Sequence, residues 1–182
     1  MALLTQTRSA SLNFRFVTQS DADYILSLRK DARYNVHLSP VTGTVGDQRR
    51  WIADYKAREA AGREFYYVIA RSDGTRCGLV RLYDIGPERF TWGSWILDHN
   101  KPPKAALESA VRIYDIGFRA LGCAKSVFDV RRDNARTLAF HRRFGAQEVG
   151  EDDVNIYFEY PRDRFDADRA GLLAALDRQE HG

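Results

Sequence analysis

Residues 105–145 read AALESAVRIYDIGFRALGCAKSVFDVRRDNARTLAFHRRFG. Leu107, Val111, Tyr114, Phe118 and Leu121 recur at the helical period. They predict one long helix with a continuous apolar stripe, stopped at Gly122. Ser126 to Val130 reads as a strand. Asn134 is an N-cap for a short second helix that closes at Gly145. Helix, strand and helix follow one another without a gap.

Upstream, Phe14 and Phe16 alternate with Arg15 and mark a first strand. Ser20-Asp21 opens a helix carrying Ile25 and Leu28 on one face. A loop covers Asn35 to Gly43. Thr44 and Asp47 have capping-box spacing ahead of a helix with Trp51, Ile52 and Tyr55, which stops near Gly62. Phe65 to Ala70 and Cys77 to Tyr83 form a hairpin across Ser72-Asp73-Gly74. Gly86-Pro87 turns the chain into Phe90 to Leu97. Asp98 to Pro103 is a polar loop that cannot be helical until after Pro103. Downstream, Asn155 to Tyr160 is a last strand, paired with one near Ala146 to Val149. Phe165 to Glu180 is a terminal amphipathic helix whose apolar face is Leu172, Leu173 and Leu176.

The order is β-α-α-β-β-β-α-β-α-β-β, an α/β layered domain on a mixed sheet. Residues 1–11 read as a mobile tail, 12–162 as the domain and 163–182 as a C-terminal amphipathic helix or tail. The chain has 182 residues, 44% apolar and 29% charged, with a formal net charge of +3. That charge is too small and too evenly spread to indicate nucleic acid. No apolar run is long enough to span a membrane, and residues 1–12 carry no apolar signal core. Cys77 and Cys123 make neither a disulfide framework nor a metal-ligand spacing, so no metal is expected. They read as buried thiols of a cytoplasmic protein.

The run from Glu108 to Phe118, then Leu121-Gly122, then Phe128 to Asn134, resembles the GNAT superfamily of N-acetyltransferases. The match is to its ribosomal-protein and amino-sugar branch. Ala135 to Ala146 resembles the family's segment that follows the asparagine. Trp92-Gly93-Ser94-Trp95-Ile96-Leu97 is similar to its fourth strand. The resemblance covers roughly residues 12 to 160. It implies the GNAT fold, with six to seven strands and helices on both faces of the sheet. It also implies transfer of acetyl from acetyl-CoA to a primary amine.

Acetyl transfer needs a seat for the pyrophosphate, a polarised thioester carbonyl, a neutral amine and a proton for the departing thiolate. The resemblance places pantetheine beside Trp95, Ile96 and Leu97, in a gap between the fourth and fifth strands of the family. It places the pyrophosphate at the helix N-terminus, at Lys101, Lys104, Ala105 and Ala106. Pro102 and Lys104 stand where the branch has glycines, so Lys101 and Lys104 are expected to compensate with charge. Asn134 is expected to contact the pantetheine arm or to cap its helix, with Phe140 and Arg143 beside the cofactor.

His141 falls where many relatives keep a tyrosine that protonates the thiolate. An unperturbed histidine, which titrates near about 6.5, is mostly neutral at pH 7 yet owns one N–H donor. Thr91 stands where relatives carry a glutamate base, so Asp84 is the candidate base. Glu108 reads as structural. Arg33, Tyr34, His37, Tyr83 and Trp92 are acceptor-side candidates. The expected acceptor is an amino sugar on a nucleotide carrier, followed by a protein N-terminal amine and then a small amine. The alternative class is a non-catalytic CoA- or ligand-binding module on the same fold. A homodimer through the terminal helix is the other expected partner.

Overall fold

Aromatic and β-branched residues at alternating positions build the sheet. The computed structural model describes residues 6–8 and 11–178. Its strands are β1 (Gln6–Arg8), β2 (Leu12–Phe16), β3 (Phe65–Arg71), β4 (Arg76–Tyr83), β5 (Arg89–Leu97), β6 (Lys125–Arg131), β7 (Gln147–Glu151) and β8 (Asn155–Pro161). They lie in the order β1-β2-β3-β4-β5-β6-β8-β7. Every neighbouring pair is antiparallel except β5 with β6. Parallel neighbours need a crossover, and a helix supplies it here.

The helices are α1 (Ala22–Lys30), α2 (Ala32–Asn35), α3 (Val45–Ala60), α4 (Ala105–Tyr114), α5 (Ala135–Phe144) and α6 (Arg162–Asp177). Their ends follow local chemistry. Thr44 and Asp47 form the expected capping box at α3. The Asn134 side chain accepts from the Thr137 N–H at 3.2 Å, and Gly145 closes α5 with φ at 103°.

Strand alternation divides the apolar residues between two cores. Phe14, Tyr67, Val80, Phe90 and Trp92 face α4, α5 and α6, where Val111, Tyr114, Phe144 and Phe165 meet them. Val68, Leu79 and Ile96 face α1 and α3, against Ile25, Leu28, Ile52 and Tyr55. Both faces of the sheet are therefore covered, as expected.

Four readings change in detail. Residues 6–8, assigned above to a tail, pair with β2 as an added edge strand, while residues 1–5 and 9–10 lie outside the described residues. A four-residue helix, α2, precedes the expected loop. The long helix passes into a π-helical turn over Asp115–Ala120. Gly117 sits there because a Cβ would lie 2.1 Å from the Phe90 ring, so the wider turn seats that ring directly on backbone. The terminal helix starts at Arg162 rather than Phe165, and Glu180 lies outside the described residues. Leu172 and Leu173 pack on this chain's own core. The Arg169 guanidinium pairs with buried Asp115 at 2.8 Å.

Glu108, buried at the first turn of α4, ties the helix to the start of β2. Its carboxylate accepts from the N–H groups of Ser11 and Leu12, each at 2.8 Å, and from the Ser11 hydroxyl. This is the structural role expected of it. Glu108→Ala leaves the buried Leu12 N–H without this carboxylate. It should destabilise the fold by about 3 kcal/mol, measured by urea unfolding; a change within about 0.5 kcal/mol would remove that role.

Candidate functional site

The site begins where β5 and β6 part. Only Arg89 with Lys125 and Phe90 with Ser126 are in register, although β5 continues to Leu97 and β6 to Arg131. Beyond those pairs the strands diverge around a cleft of about 350 Å³. A bulge in β5 shapes one wall. Leu79 of β4 pairs with Ile96 and Arg81 with Gly93, so Ser94 and Trp95 together oppose one residue. Ser94 takes φ at 48° to do so. The extra residue reverses the alternation: Phe90 and Trp92 face the α4 side before it, and Trp95 and Leu97 after it. Both residues of the bulge, Ser94 and Trp95, line the cleft.

The apex is filled by rings. Trp92 stands 5.3 Å from Trp95 and 5.9 Å from Phe128, between centroids. His141 of α5 lies 4.4 Å from Phe128 and 5.4 Å from Trp92. Burial pushes its imidazole down to about 3, so it is neutral at physiological pH. Its Nδ1 is buried without a partner. An imidazole held neutral donates a hydrogen bond from one ring N–H but is not a titrating acid near neutrality. What His141 can offer a group in the cleft is therefore a hydrogen bond.

Cationic side chains surround the mouth. Lys101, Arg33, Arg131 and Arg136 line the cleft, against one carboxylate, Asp129, among the described residues that do so. Arg33 is paired with Asp31 at 2.6 Å. Tyr34 Oη accepts from the His99 N–H at 3.2 Å. His37 Nδ1 lies 3.2 Å from Asp133 Oδ1, so the loop after α2 reaches across to the end of β6.

At the other wall, α4 begins beside the cleft. Ala105 N–H is used by the Pro102 carbonyl at 3.3 Å. The amides of Ala106 and Leu107 fall in the first turn, where the helix itself offers no acceptor. Such a turn suits an anion.

A model of the acetyltransferase (GNAT) domain matches residues 11–147. The chain belongs to the GNAT acetyltransferase family. Among solved structures it is similar to apo FdhC, a nucleotide-linked sugar GNAT. The identity there is 39% and the TM-score 0.82, covering 92% of this chain and 94% of that one. It also shares the fold of a ribosomal-protein-S5-alanine acetyltransferase from Vibrio fischeri, at 14% identity, TM-score 0.74 and 87% and 97% coverage. A spermidine N-acetyltransferase from Vibrio cholerae, solved with CoA and spermine, matches at 16% identity, TM-score 0.72 and 85% and 97% coverage. No sequence among curated proteins matches significantly.

The GNAT cleft gathers Trp95, Ile96, Leu97, Lys101, Ala106, Asn134 and His141 along its walls, with Arg33, Tyr34, His37 and Trp92. Trp92 is almost wholly buried, so its larger role is in the core. Tyr83 is not a lining residue, but its hydroxyl stands over Gly93, which is, 3.0 Å from where a Cβ would be.

Five expected residues stand elsewhere. Asp84 is exposed, takes φ at 50° in the turn after β4, and does not line the cleft. Its short polar side chain suits that turn. Lys104 does not face the cleft: its ammonium donates to the Ala175 carbonyl at 3.0 Å, to Leu176 at 3.3 Å and to Arg178, capping the end of α6. Its backbone keeps φ at 60°, the conformation a glycine would take, at a cost of about 1 kcal/mol. Ala105 is buried under the turn. Phe140 packs behind Trp95 at 5.2 Å, and Arg143 is exposed. None of these three is a lining residue.

Sequence reasoning missed Ser94, Asp129 and Arg136. Asp129 carried a signal, as a carboxylate inside a strand between Phe128 and Val130. The unfolded His141 binds a proton near ~6.5 and the folded one only near 3. Stability attached to it is full above about 6.5 and falls toward lower pH by about 1.4 kcal/mol per unit. Unfolding free energies from pH 6.5 to 4 should therefore drop less steeply in His141→Phe than in the native protein. Parallel slopes would contradict a buried neutral imidazole.

Proposed function

We propose that this protein moves the acetyl group of acetyl-CoA onto the primary amine of a sugar carried on a nucleotide. The observation that carries the reading is the parting of β5 from β6 beside the first turn of α4. A similarity of 39% identity to a nucleotide-linked sugar GNAT over 92% of this chain favours that acceptor. The cationic mouth suits a phosphate-bearing molecule.

In the reaction the amine nitrogen bonds to the acetyl carbon, the carbon–sulfur bond breaks, and the sulfur takes up a proton while the nitrogen loses one. Trp95, Ile96 and Leu97 would line the thioester-bearing arm, with Asn134 opposite. Lys101 and the Ala106 amide would hold the phosphates. The backbone of the bulge at Ser94 and Trp95 would donate to the carbonyl oxygen as charge develops there. Neutral His141 would donate a hydrogen bond to the departing sulfur. Asp129 would take the amine proton, directly or through water. Arg33, Tyr34, His37 and Tyr83 would border the acceptor.

Release of free thiol from acetyl-CoA, assayed over nucleotide-linked amino sugars, peptides with free N-termini and small amines, tests this. Turnover should be greatest with a nucleotide-linked amino sugar. Turnover confined to peptides or to small amines would overturn the acceptor, and none with any amine would favour the binding module. In the same assay Asp129→Asn should lower kcat about a hundredfold with little change in the KM for acetyl-CoA.

A further inference from the structure

A second cavity, of about 300 Å³, lies on the α1–α3 side of the sheet. Arg29, Arg81, Tyr66 and Trp51 line it, with Val41, Thr42 and Thr44 of the loop after α2. Its charge is unbalanced. Arg81 and Arg58 share one carboxylate, Glu64, at 2.5 Å and 2.6 Å. Arg29 has no carboxylate partner among the described residues: its Nη2 donates to the Ser39 carbonyl at 3.0 Å, and its Nε is buried without a partner. The Tyr66 hydroxyl is also buried and unpartnered, although the Arg29 guanidinium lies beside it without hydrogen-bond geometry. Asp47 is the carboxylate on the wall, and it is engaged by Thr44 and Arg50. Unsatisfied buried donors beside an unpaired guanidinium favour an anion.

The cavity neighbours the cleft in strand register. Tyr66 of β3 pairs with Arg81 of β4, and Arg81 pairs with Gly93 of β5, which lines the cleft. The three residues form one row across the sheet, spanning about 10 Å at the usual strand spacing. Gly93 places no side chain in that row, and the Tyr83 hydroxyl stands over it, 3.0 Å from where a Cβ would be. One segment serves both places: Arg33, Tyr34, His37 and Leu38 border the cleft, Val41, Thr42 and Thr44 border the cavity, and Arg29 holds Ser39 between them.

We propose that this cavity seats the phosphate-bearing end of the acceptor, with Arg29 as its charge partner, while the amine reaches the cleft along the segment from Tyr34 to Thr44 that borders both. The inference rests on the amino-sugar reading above. It assigns Arg29 a part in choosing the acceptor, through a charge-assisted contact that an acceptor without phosphates does not make.

The test compares kcat/KM for a nucleoside-diphosphate-linked amino sugar with that for the same amino sugar free of its carrier. Arg29→Gln should cut the preference for the carrier-linked acceptor at least about tenfold, and Arg29→Lys should restore part of it. Thr42→Asp, on the exposed loop, should act in the same direction should Arg29→Gln not fold. A preference unchanged in these variants overturns the proposal. Thermal shift by inorganic pyrophosphate is the second readout, with coenzyme A saturating so that its own phosphate seat is filled. The shift should be present in the native protein and lost in Arg29→Gln. If the native protein acetylates no nucleotide-linked sugar, the functional reading fails by itself. The pyrophosphate shift then decides the cavity: lost on Arg29→Gln it stands, absent or unaltered it falls.

Discussion

Two backbone pairs join β5 to β6, and everything that distinguishes this fold from a closed sheet follows from their ending at Phe90 and Ser126. A sheet interrupted in its middle leaves amide and carbonyl groups without ladder partners, which is costly wherever water is excluded. The protein meets that cost in two ways. Rings wedge the strands apart at the apex, where Trp92, Phe128 and His141 stand against one another. Toward the mouth the cleft is polar and open, so backbone groups there reach solvent or a bound molecule. The parting is thus a packed feature of the core, held from α5 on one side and the β5 bulge on the other.

The same wedge explains the state of His141. An imidazole surrounded by Phe128, Trp92, Phe140 and Phe158 has no counter-ion to favour its charged form, and burial alone keeps it neutral. A charged group at the apex would be solvated poorly and would draw water into the gap. Charge is confined to the rim, where Lys101, Arg131 and Arg136 are exposed. An apolar throat under a cationic mouth accommodates a ligand that is polyanionic at one end and nearly neutral at the other.

Much of this is legible in the residues. The helical period of Leu107 to Leu121, the cap at Asn134 and the glycine at 145 identify α4 and α5. Their gapless spacing leads to the family. Glu108 reads as structural, and its bonds to Ser11 and Leu12 make it so. The errors share a cause. Charge and a place before a helix point Lys104 at the phosphates, yet its ammonium is drawn to the carbonyls that end α6, some seventy residues away. Residue type makes Asp84 a candidate base, yet its backbone turns it away from the cleft. Ser94 gives no sign, because a bulge is a mismatch between two strands and neither strand shows it alone.

The amino-acid sequence by itself determined what depends on near neighbours: which segments coil or extend, where helices are capped, and which face of each is apolar. Those properties arise from interactions over a few residues and are written in local spacing. Tertiary structure alone decided where β5 leaves β6, that α6 claims Lys104, that His141 is buried among rings, and that Tyr66, Arg81 and Gly93 form one row. Each of these is set by a contact or a desolvation between segments distant in the chain, whose energy exists only once the segments have met.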